Sequence, residues 1–323
     1  EAFASVLALF HRRHLARRHW SLPRSPSLPS THYAQVLTTE LPRIPHDGPV
    51  TQTPMQGKSI LITGGSHGFG EGLARRMAAE GGLVTIADID DERGQEVARE
   101  IGGNFVRTDV TDFESNKHAV AEAASYGGGL DIVILNAGVT SGLGLGDDFD
   151  PQRYRKVMAI NLDGVVYGVA AAMPALQARG GGDIIATASM AGIAPTPFDP
   201  IYATNKTAVV GLVRSFGLAS IAQGVRTNAV CPAFAETRIL GPMRQGLVDA
   251  GVPLLRVEEV VDVYFDVLAS GATAECWFVQ PGRPSEPFAF RRAPGPRASD
   301  GSIAAAADPQ TQFEMERKIK DSR

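Results

Sequence analysis

Six short runs of this 323-residue chain are almost wholly apolar, and the stretches between them read as helices. The runs are Ser59–Thr63, Leu83–Asp88, Asn104–Thr108, Ile132–Asn136, Asp183–Thr187 and Arg226–Val230. A strand with one wet face alternates apolar and polar residues, whereas an unbroken apolar run implies a strand covered on both faces. Glu71–Glu80 places Leu73, Ala74, Met77 and Ala78 on one helical face and stops at Gly81-Gly82. Arg153 to Leu176 and Ile201 to Ala222 carry longer helical patterns. Strand–helix alternation of this kind predicts an α/β fold with a doubly wound parallel sheet, because parallel neighbours are joined by right-handed helical crossovers.

Outside that region the texture changes. Residues 1–54 contain Pro23, Pro26, Pro29, Pro42, Pro45, Pro49 and Pro54, each of which removes a backbone donor and fixes φ, so neither a helix nor a sheet interior runs through the segment 21–54. Ahead of them an apolar stretch, Ala2 to Phe10, precedes the basic run from His11 to His19, and no acid stands between Glu1 and Glu40. That composition resembles a transit peptide; cytoplasmic residence is the main expectation and organelle targeting the alternative. After Pro284 the composition decays, so 285–323 is expected to be a tail, with a short amphipathic helix at Phe313 to Ile319. The expected organisation is an extension (1–54), one nucleotide-binding domain (55–284) and the tail (285–323), although length alone suggests two domains.

A net charge of −4 and a pI near 6.0 provide no basic field for nucleic acid. Two cysteines, Cys231 and Cys276, build neither a disulfide framework nor a four-ligand zinc site. The histidines lack metal-ligand spacing, so no metal is expected. No stretch reaches the roughly 18 unbroken apolar residues of a membrane span. Glycine is in excess, 35 residues in all, which directs attention to backbone-lined sites.

The densest cluster follows the first apolar run: Thr63-Gly64-Gly65-Ser66-His67-Gly68-Phe69-Gly70. Strand, glycine turn and helix N-terminus together make an anion site, since glycine admits a pyrophosphate close to the backbone and the free N–H groups favour its charge. The second run ends at Asp88, eighteen residues beyond Gly70, where a dinucleotide fold places the acid that binds the adenosine ribose. Asp90 and Asp91 follow, and this acidic group would repel a 2′-phosphate. His67 would oppose that only if protonated, and an ordinary imidazole is mostly neutral at pH 7. NAD is therefore expected rather than NADP.

Tyr202 and Lys206 stand one helical turn apart in Tyr202-Ala203-Thr204-Asn205-Lys206. A phenol of ordinary pKa near 10 is a poor base at neutral pH, and a fixed cation nearby favours the phenolate. Ser189 follows the fifth run, Asn136-Ala137-Gly138 the fourth, and Asn161 lies in a helical stretch apolar on one side. Ligands bind at the carboxyl ends of strands in this architecture.

Taken in order, these residues resemble the short-chain dehydrogenase/reductase family, in its subtype with a single Rossmann domain, over about 57 to 283. Thr63-Gly64-x-x-x-Gly68-x-Gly70 matches the cofactor motif, which also takes in Ser66, His67 and Phe69. Asp109 with Val110 matches the acid whose neighbourhood contacts adenine, and Asn136-Ala137-Gly138 the motif that steadies the sheet. Asn161, Ser189, Tyr202 and Lys206 match the catalytic four; Pro232 and Thr237 match the loop beside the nicotinamide. Departures are Thr204-Asn205 in place of Ala-Ser, Ala233 in place of Gly, Phe69 in place of Ile, and Cys276 to Gly282 in place of a terminal Gly-Gly pattern. Asn205 leaves the packing near Lys206 open.

The resemblance implies reversible hydride transfer between a secondary alcohol and a ketone. Tyr202 would move the proton, Lys206 would lower its pKa and hold the nicotinamide ribose, Ser189 would hold the reacting oxygen, and Asn161 would support a water relay. It also implies a homodimer or homotetramer through the 153–176 and 201–222 helices. Leu143, Leu145, Met190, Ile193, Phe198, Phe234, Ile239, Leu240 and Met243 fall in the loops expected to form the substrate pocket, which favours an apolar or amphipathic small molecule. Two other readings stand beside it: a noncatalytic NAD-binding regulator on the same fold, and a methyltransferase, which gives no reason for the Tyr202–Lys206 spacing.

Overall fold

The apolar runs pair as strands of one sheet in the computed structural model, which describes residues 55–142, 144–147 and 149–291. The strands are β1 (Ser59–Thr63), β2 (Leu83–Asp88), β3 (Asn104–Arg107), β4 (Ile132–Leu135), β5 (Gly182–Thr187), β6 (Val225–Pro232), β7 (Cys276–Val279) and β8 (Glu286–Pro287). Their order is β3-β2-β1-β4-β5-β6-β7-β8, parallel except for the last pair. This is the Rossmann-type arrangement, with its switch point between β1 and β4. Every residue of β1, β4 and β6 is buried, which accounts for the apolar runs Ile60 to Ile62 and Ile132 to Leu135; in β6 the buried Arg226 pairs with Asp183.

The helices are α1 (Gly68–Ala79), α2 (Asp91–Ile101), α3 (Phe113–Gly127), α4 (Pro151–Met158), α5 (Gly164–Ala178), α6 (Pro200–Ala219), α7 (Met243–Asp249) and α8 (Val257–Ser270). Leu73, Met77, Val97, Val260 and Tyr264 fill the core on one sheet face, and Ala119, Val120, Val169, Val209 and Val213 fill it on the other. Asp side chains start four helices: Asp90, Asp112, Asp150 and Asp199 each accept from backbone N–H groups of the first turn. The stretch Pro151–Ala178 is long and apolar enough by composition to cross a membrane, but Val165, Val169, Ala172 and Leu176 belong to the sheet-side core, as in an internal helix.

Two details differ from the sequence expectation. The pattern from Arg153 to Leu176 is not one α-helix: a π-helical turn, Ala159–Asp163, separates α4 from α5. Such turns recur at functional sites, and this one carries Asn161, whose hydrogen bonds to a neighbouring loop compensate for the widened turn. Residues 285–291 are not a loose tail. Glu286–Pro287 pairs antiparallel with β7, the Phe288 amide donates to the Cys276 carbonyl at 2.8 Å, and Phe290 lies 3.8 Å from the Arg214 guanidinium. Two aromatic side chains thus supply the apolar contact that a Pro-rich composition had concealed. The expected extension 1–54, the tail beyond 291, the helix at Phe313 to Ile319 and pocket residue Leu143 lie outside the described residues.

Candidate active site

Every sequence-predicted site residue sits at or near the carboxyl ends of β1 to β6. After β1 the chain turns through Gly64, at φ 63°, and enters α1. A Cβ on Gly70 would lie 2.0 Å from the Gly64 carbonyl oxygen, so only glycine permits the turn to close. His67 is the N-cap of α1, and its side chain makes no cap hydrogen bond. The Ser66 hydroxyl is buried without a partner among the described residues. An uncapped helix start beside an orphaned hydroxyl fits a phosphate group. Phe69 packs against the core beside this turn.

Asp88 ends β2 half-buried, accepting from the Ser66 amide and the Asp90 amide at 3.0 Å each. It therefore shapes the glycine turn. His67 Nε2 lies 3.0 Å from Asp90 Oδ2, and Arg238 reaches His67 Nδ1 at 3.1 Å from the far side of the cleft. Thr237 Cγ2 lies 3.3 Å from where a Gly68 Cβ would stand. A cavity of about 720 Å³ runs past His67, Gly68, Glu71, Thr237 and Arg238. Asp109 is exposed and engages the Thr111 amide at 2.9 Å, while Val110 is buried against Gly164.

Asn136 links three elements. Its amide and that of Ala137 donate to Thr63 Oγ1, and its side chain donates to the Gly64 carbonyl at 3.0 Å. Thr187 Oγ1 donates to Asn136 Oδ1 at 3.1 Å and contacts the Tyr264 hydroxyl at 2.5 Å. This chain of bonds joins α8 to the glycine turn through two residues that the sequence reading did not place in the site, Thr187 and Tyr264. Gly138 lies between Asn161 and Lys206; a Cβ there would stand 3.3 Å from Asn161 Oδ1 and 3.6 Å from Lys206 Nζ.

The four expected catalytic residues converge. Ser189 follows β5 and acts on the Tyr202 phenol, lowering its pKa; Ser189 Oγ accepts from the Ala191 amide at 3.1 Å and lies 3.4 Å from the Pro232 carbonyl. Lys206 is buried, with Nζ 2.7 Å from the Thr187 carbonyl and 5.7 Å from the Tyr202 ring centroid. Asn161 is fully buried. Its amide donates to the Val139 carbonyl at 2.7 Å and its oxygen accepts from the Val139 amide at 2.8 Å. The second amide hydrogen reaches Asn205 Oδ1 at 3.2 Å. Asn205, the departure that left local packing open, thus completes a buried network.

Lys206 is expected to lower the pKa of Tyr202; its Nζ stands 5.7 Å from the Tyr202 ring centroid. Burial pushes the phenol up to about 12, with Ser189 opposing and Asp199 reinforcing; burial pushes the Lys206 ammonium down to about 8. The cation serves the Thr187 carbonyl instead of the phenol oxygen. Cys231 and Cys276 are buried side by side, and that contact together with burial holds the Cys231 thiol well above its usual range. Among the expected pocket residues Phe198 and Phe234 meet at 5.8 Å between ring centroids and Leu240 is buried, while Leu145 is strongly exposed.

The sequence model of the family described as short chain dehydrogenase matches residues 58–247, more than half of the 323-residue chain. The chain belongs to this family. As a short-chain dehydrogenase it is a nucleotide-binding oxidoreductase. Similar curated proteins include the oxidoreductase UcpA of Salmonella typhimurium, 36% identical over 205 residues, covering 62% of this chain and 76% of UcpA. Another is the 2,5-dichloro-2,5-cyclohexadiene-1,4-diol dehydrogenase LinX of Sphingobium indicum, 32% identical over 65% of this chain and 86% of LinX. A third is a 3-alpha-(or 20-beta)-hydroxysteroid dehydrogenase of Mycobacterium bovis, 34% identical over 56% of this chain and 70% of its own length. Among solved structures, a 3-ketoacyl-(acyl-carrier-protein) reductase from Brucella melitensis, complexed with NADH, superposes with a TM-score of 0.65 at 28% identity, covering 71% of this chain and 98% of that one.

Proposed function

We propose that this short-chain dehydrogenase interconverts a secondary alcohol and a ketone on an apolar or amphipathic small molecule, using NAD. The observation that carries the reading is the convergence at the carboxyl end of β5 of Ser189, which lowers the pKa of the Tyr202 phenol, with buried Lys206, whose Nζ stands 5.7 Å from the Tyr202 ring centroid. The Brucella neighbour holds NADH, and two relatives are named for compounds that carry hydroxyl groups on rings, a cyclohexadiene diol and a hydroxysteroid.

The cofactor supplies or accepts the hydride. Gly64, Ser66, His67, Gly68, Phe69 and Gly70 would hold its pyrophosphate, Asp88 the adenosine ribose, and Asp109 with Val110 the region of the adenine. Asn136, Ala137, Gly138, Pro232 and Thr237 would border the nicotinamide half, and Lys206 its ribose. Ser189 donates a hydrogen bond to the reacting oxygen. Tyr202 gives that oxygen a proton in reduction and takes it back in oxidation. Asn161 fixes Val139 and, through Asn205, the helix that carries both Tyr202 and Lys206. The exposed Val166 and the Phe113–Tyr167 ring pair, 5.5 Å between centroids, belong to the face proposed for a homodimer or homotetramer.

The test is a screen of alcohols and ketones with NAD and NADP, run on wild type, Tyr202→Phe and Asp88→Ala. Tyr202→Phe is expected to lose about 100-fold to 10,000-fold in kcat while binding NADH unchanged. Asp88→Ala should shift the preference toward NADP by about 10-fold or more. Turnover by Tyr202→Phe at the wild-type rate contradicts the reading, and NADH binding without any turnover by wild type favours a regulator.

A further inference from the structure

A carboxylate absent from the family's catalytic four lies three residues before Tyr202. Asp199 is only 5% exposed and its carboxylate accepts four hydrogen bonds. Its Oδ2 accepts from the Ser141 and Gly142 amides, both at 3.1 Å. Its Oδ1 accepts from the Tyr202 amide at 2.9 Å and from the Ser141 hydroxyl. One side chain thus ties the loop that leaves β4 to the first turn of α6, across 58 residues of sequence. The same loop is held a second time on the other side of Tyr202, through Asn205, Asn161 and Val139. Three residues before and three after Tyr202, α6 grips one loop.

We propose that Asp199 is a positioning residue for the reaction proposed above: it fixes the Ser141–Gly142 turn as the wall opposite Tyr202 and keeps the phenol in its proton-donating form. The inference rests on that reading of the site. A helix cap alone needs one acceptor for the N–H groups of its first turn, and serine or threonine supplies it without charge. Asp199 uses both oxygens, and the second serves only the loop. A buried negative charge near a phenol opposes ionisation: burial pushes Tyr202 up to about 12, Ser189 opposes that rise and Asp199 reinforces it. The other groups around the phenol come from three elements. Ser189, after β5, favours ionisation; Cys231, from β6, opposes it; Lys206, from α6, is turned to the Thr187 carbonyl. On the far side of the loop the Arg153 guanidinium of α4 stands 3.0 Å from the position of a Gly142 Cβ. A site that guards the protonated phenol is suited to donating a proton to a carbonyl oxygen, and so to ketone reduction.

The experiment uses the full chain with NAD or NADH and compares wild type with Asp199→Asn, Asp199→Ser and Ser141→Ala. Both Asp199 variants keep a cap for α6 and remove the charge; Ser141→Ala removes one donor and leaves the charge. NADH binding, read by its fluorescence, should stay within about 3-fold of wild type. The ascending limb of kcat/KM for alcohol oxidation should move about one unit toward lower pH in both Asp199 variants and stay in place in Ser141→Ala. KM for the ketone should rise in all three, by about 10-fold in the Asp199 variants. The phenolate absorbance of Tyr202, isolated by difference from Tyr202→Phe in the NAD complex, should follow the same order, and this readout needs no turnover. An unmoved limb and an unmoved phenolate titration in both Asp199 variants, with NADH binding intact, overturn the proposal. Absence of wild-type turnover on every alcohol and ketone would instead remove the reaction, while the phenolate titration still decides the role of Asp199.

Discussion

The Lys206 ammonium donates to the carbonyl oxygen of Thr187 at 2.7 Å, and that same residue's hydroxyl holds Asn136, which holds the glycine turn. The candidate catalytic cation and the candidate cofactor loop are therefore two ends of one hydrogen-bonded path. Lys206 is in this respect a structural donor as well as a group for chemistry.

The buried ammonium carries a cost with a defined pH window. Its folded value, about 8, lies below the ordinary lysine value of 10.5. Between those values the unfolded chain holds a proton that the folded chain has released, so stability rises with pH across that interval, and the cost is fully present below it. It amounts to about 3 kcal/mol, offset by about 1 kcal/mol from the bond to Thr187. Lys206→Met should therefore be as stable as wild type or more so near pH 7, with the difference closing by about pH 10, while kcat drops about 100-fold or more. Urea unfolding at the two pH values checks the first part and steady-state turnover the second.

Two glycines in helices separate close packing from conformational freedom. A Cβ on Gly70 meets the Gly64 carbonyl oxygen at 2.0 Å, whereas one on Gly211 meets nothing within 4 Å. Backbone cannot step aside as a flexible side chain can. Gly70→Ala is expected to cost about 3 kcal/mol or more and to abolish NADH binding. Gly211→Ala, in the middle of α6, should add about 0.5–1 kcal/mol. Thermal unfolding and NADH titration of the pair distinguish the two effects.

The edge of the sheet gives a further check. Phe290 lies 3.8 Å from the Arg214 guanidinium and 4.9 Å, edge to face, from Phe288. Phe290→Ala should lower stability by about 1–3 kcal/mol through lost burial and the cation–π contact, with KM for NADH unchanged. A variant with wild-type stability would mean that the Phe290 side chain contributes nothing to the fold.

How far the sequence carried depends on the kind of interaction. The strands were legible because burial on both faces leaves β4 wholly apolar and β1 apolar at its centre, Ile60 to Ile62, and the cofactor turn because Gly64, Gly68 and Gly70 are spaced by the geometry of one strand-to-helix corner. Tyr202, Lys206, Ser189 and Asn161 could be placed in one family pattern, but not the direction in which Lys206 points. That direction depends on Thr187, which reads in the sequence as one more strand residue. The π-helical turn at Ala159–Asp163 was hidden because its apolar pattern is that of an ordinary helix. Asp199 had a legible signal, an Asp before Pro200 at a helix start; its second partner, the Ser141–Gly142 turn, is far away in sequence and had none.

Asn205 shows how a departure from a family pattern acquires a physical account. Its Nδ2 donates to the Ile201 carbonyl at 3.0 Å, within α6, and its Oδ1 accepts from Asn161 at 3.2 Å. Asn161 spends its other hydrogen and its oxygen on Val139. Asn205→Ala strands that buried donor and should cost about 1–3 kcal/mol. Asn205→Ser, the residue type common at this position in the family, is too short to span the gap and should recover little of that cost unless a water enters. Because Asn205 touches neither Tyr202 nor the Lys206 amine, kcat should fall by less than about 10-fold, through loosening of the Asn161–Val139 link. Urea denaturation of the two variants beside their turnover tests this. A loss of kcat as large as that of Lys206→Met, with stability unchanged, would place Asn205 in the chemistry itself.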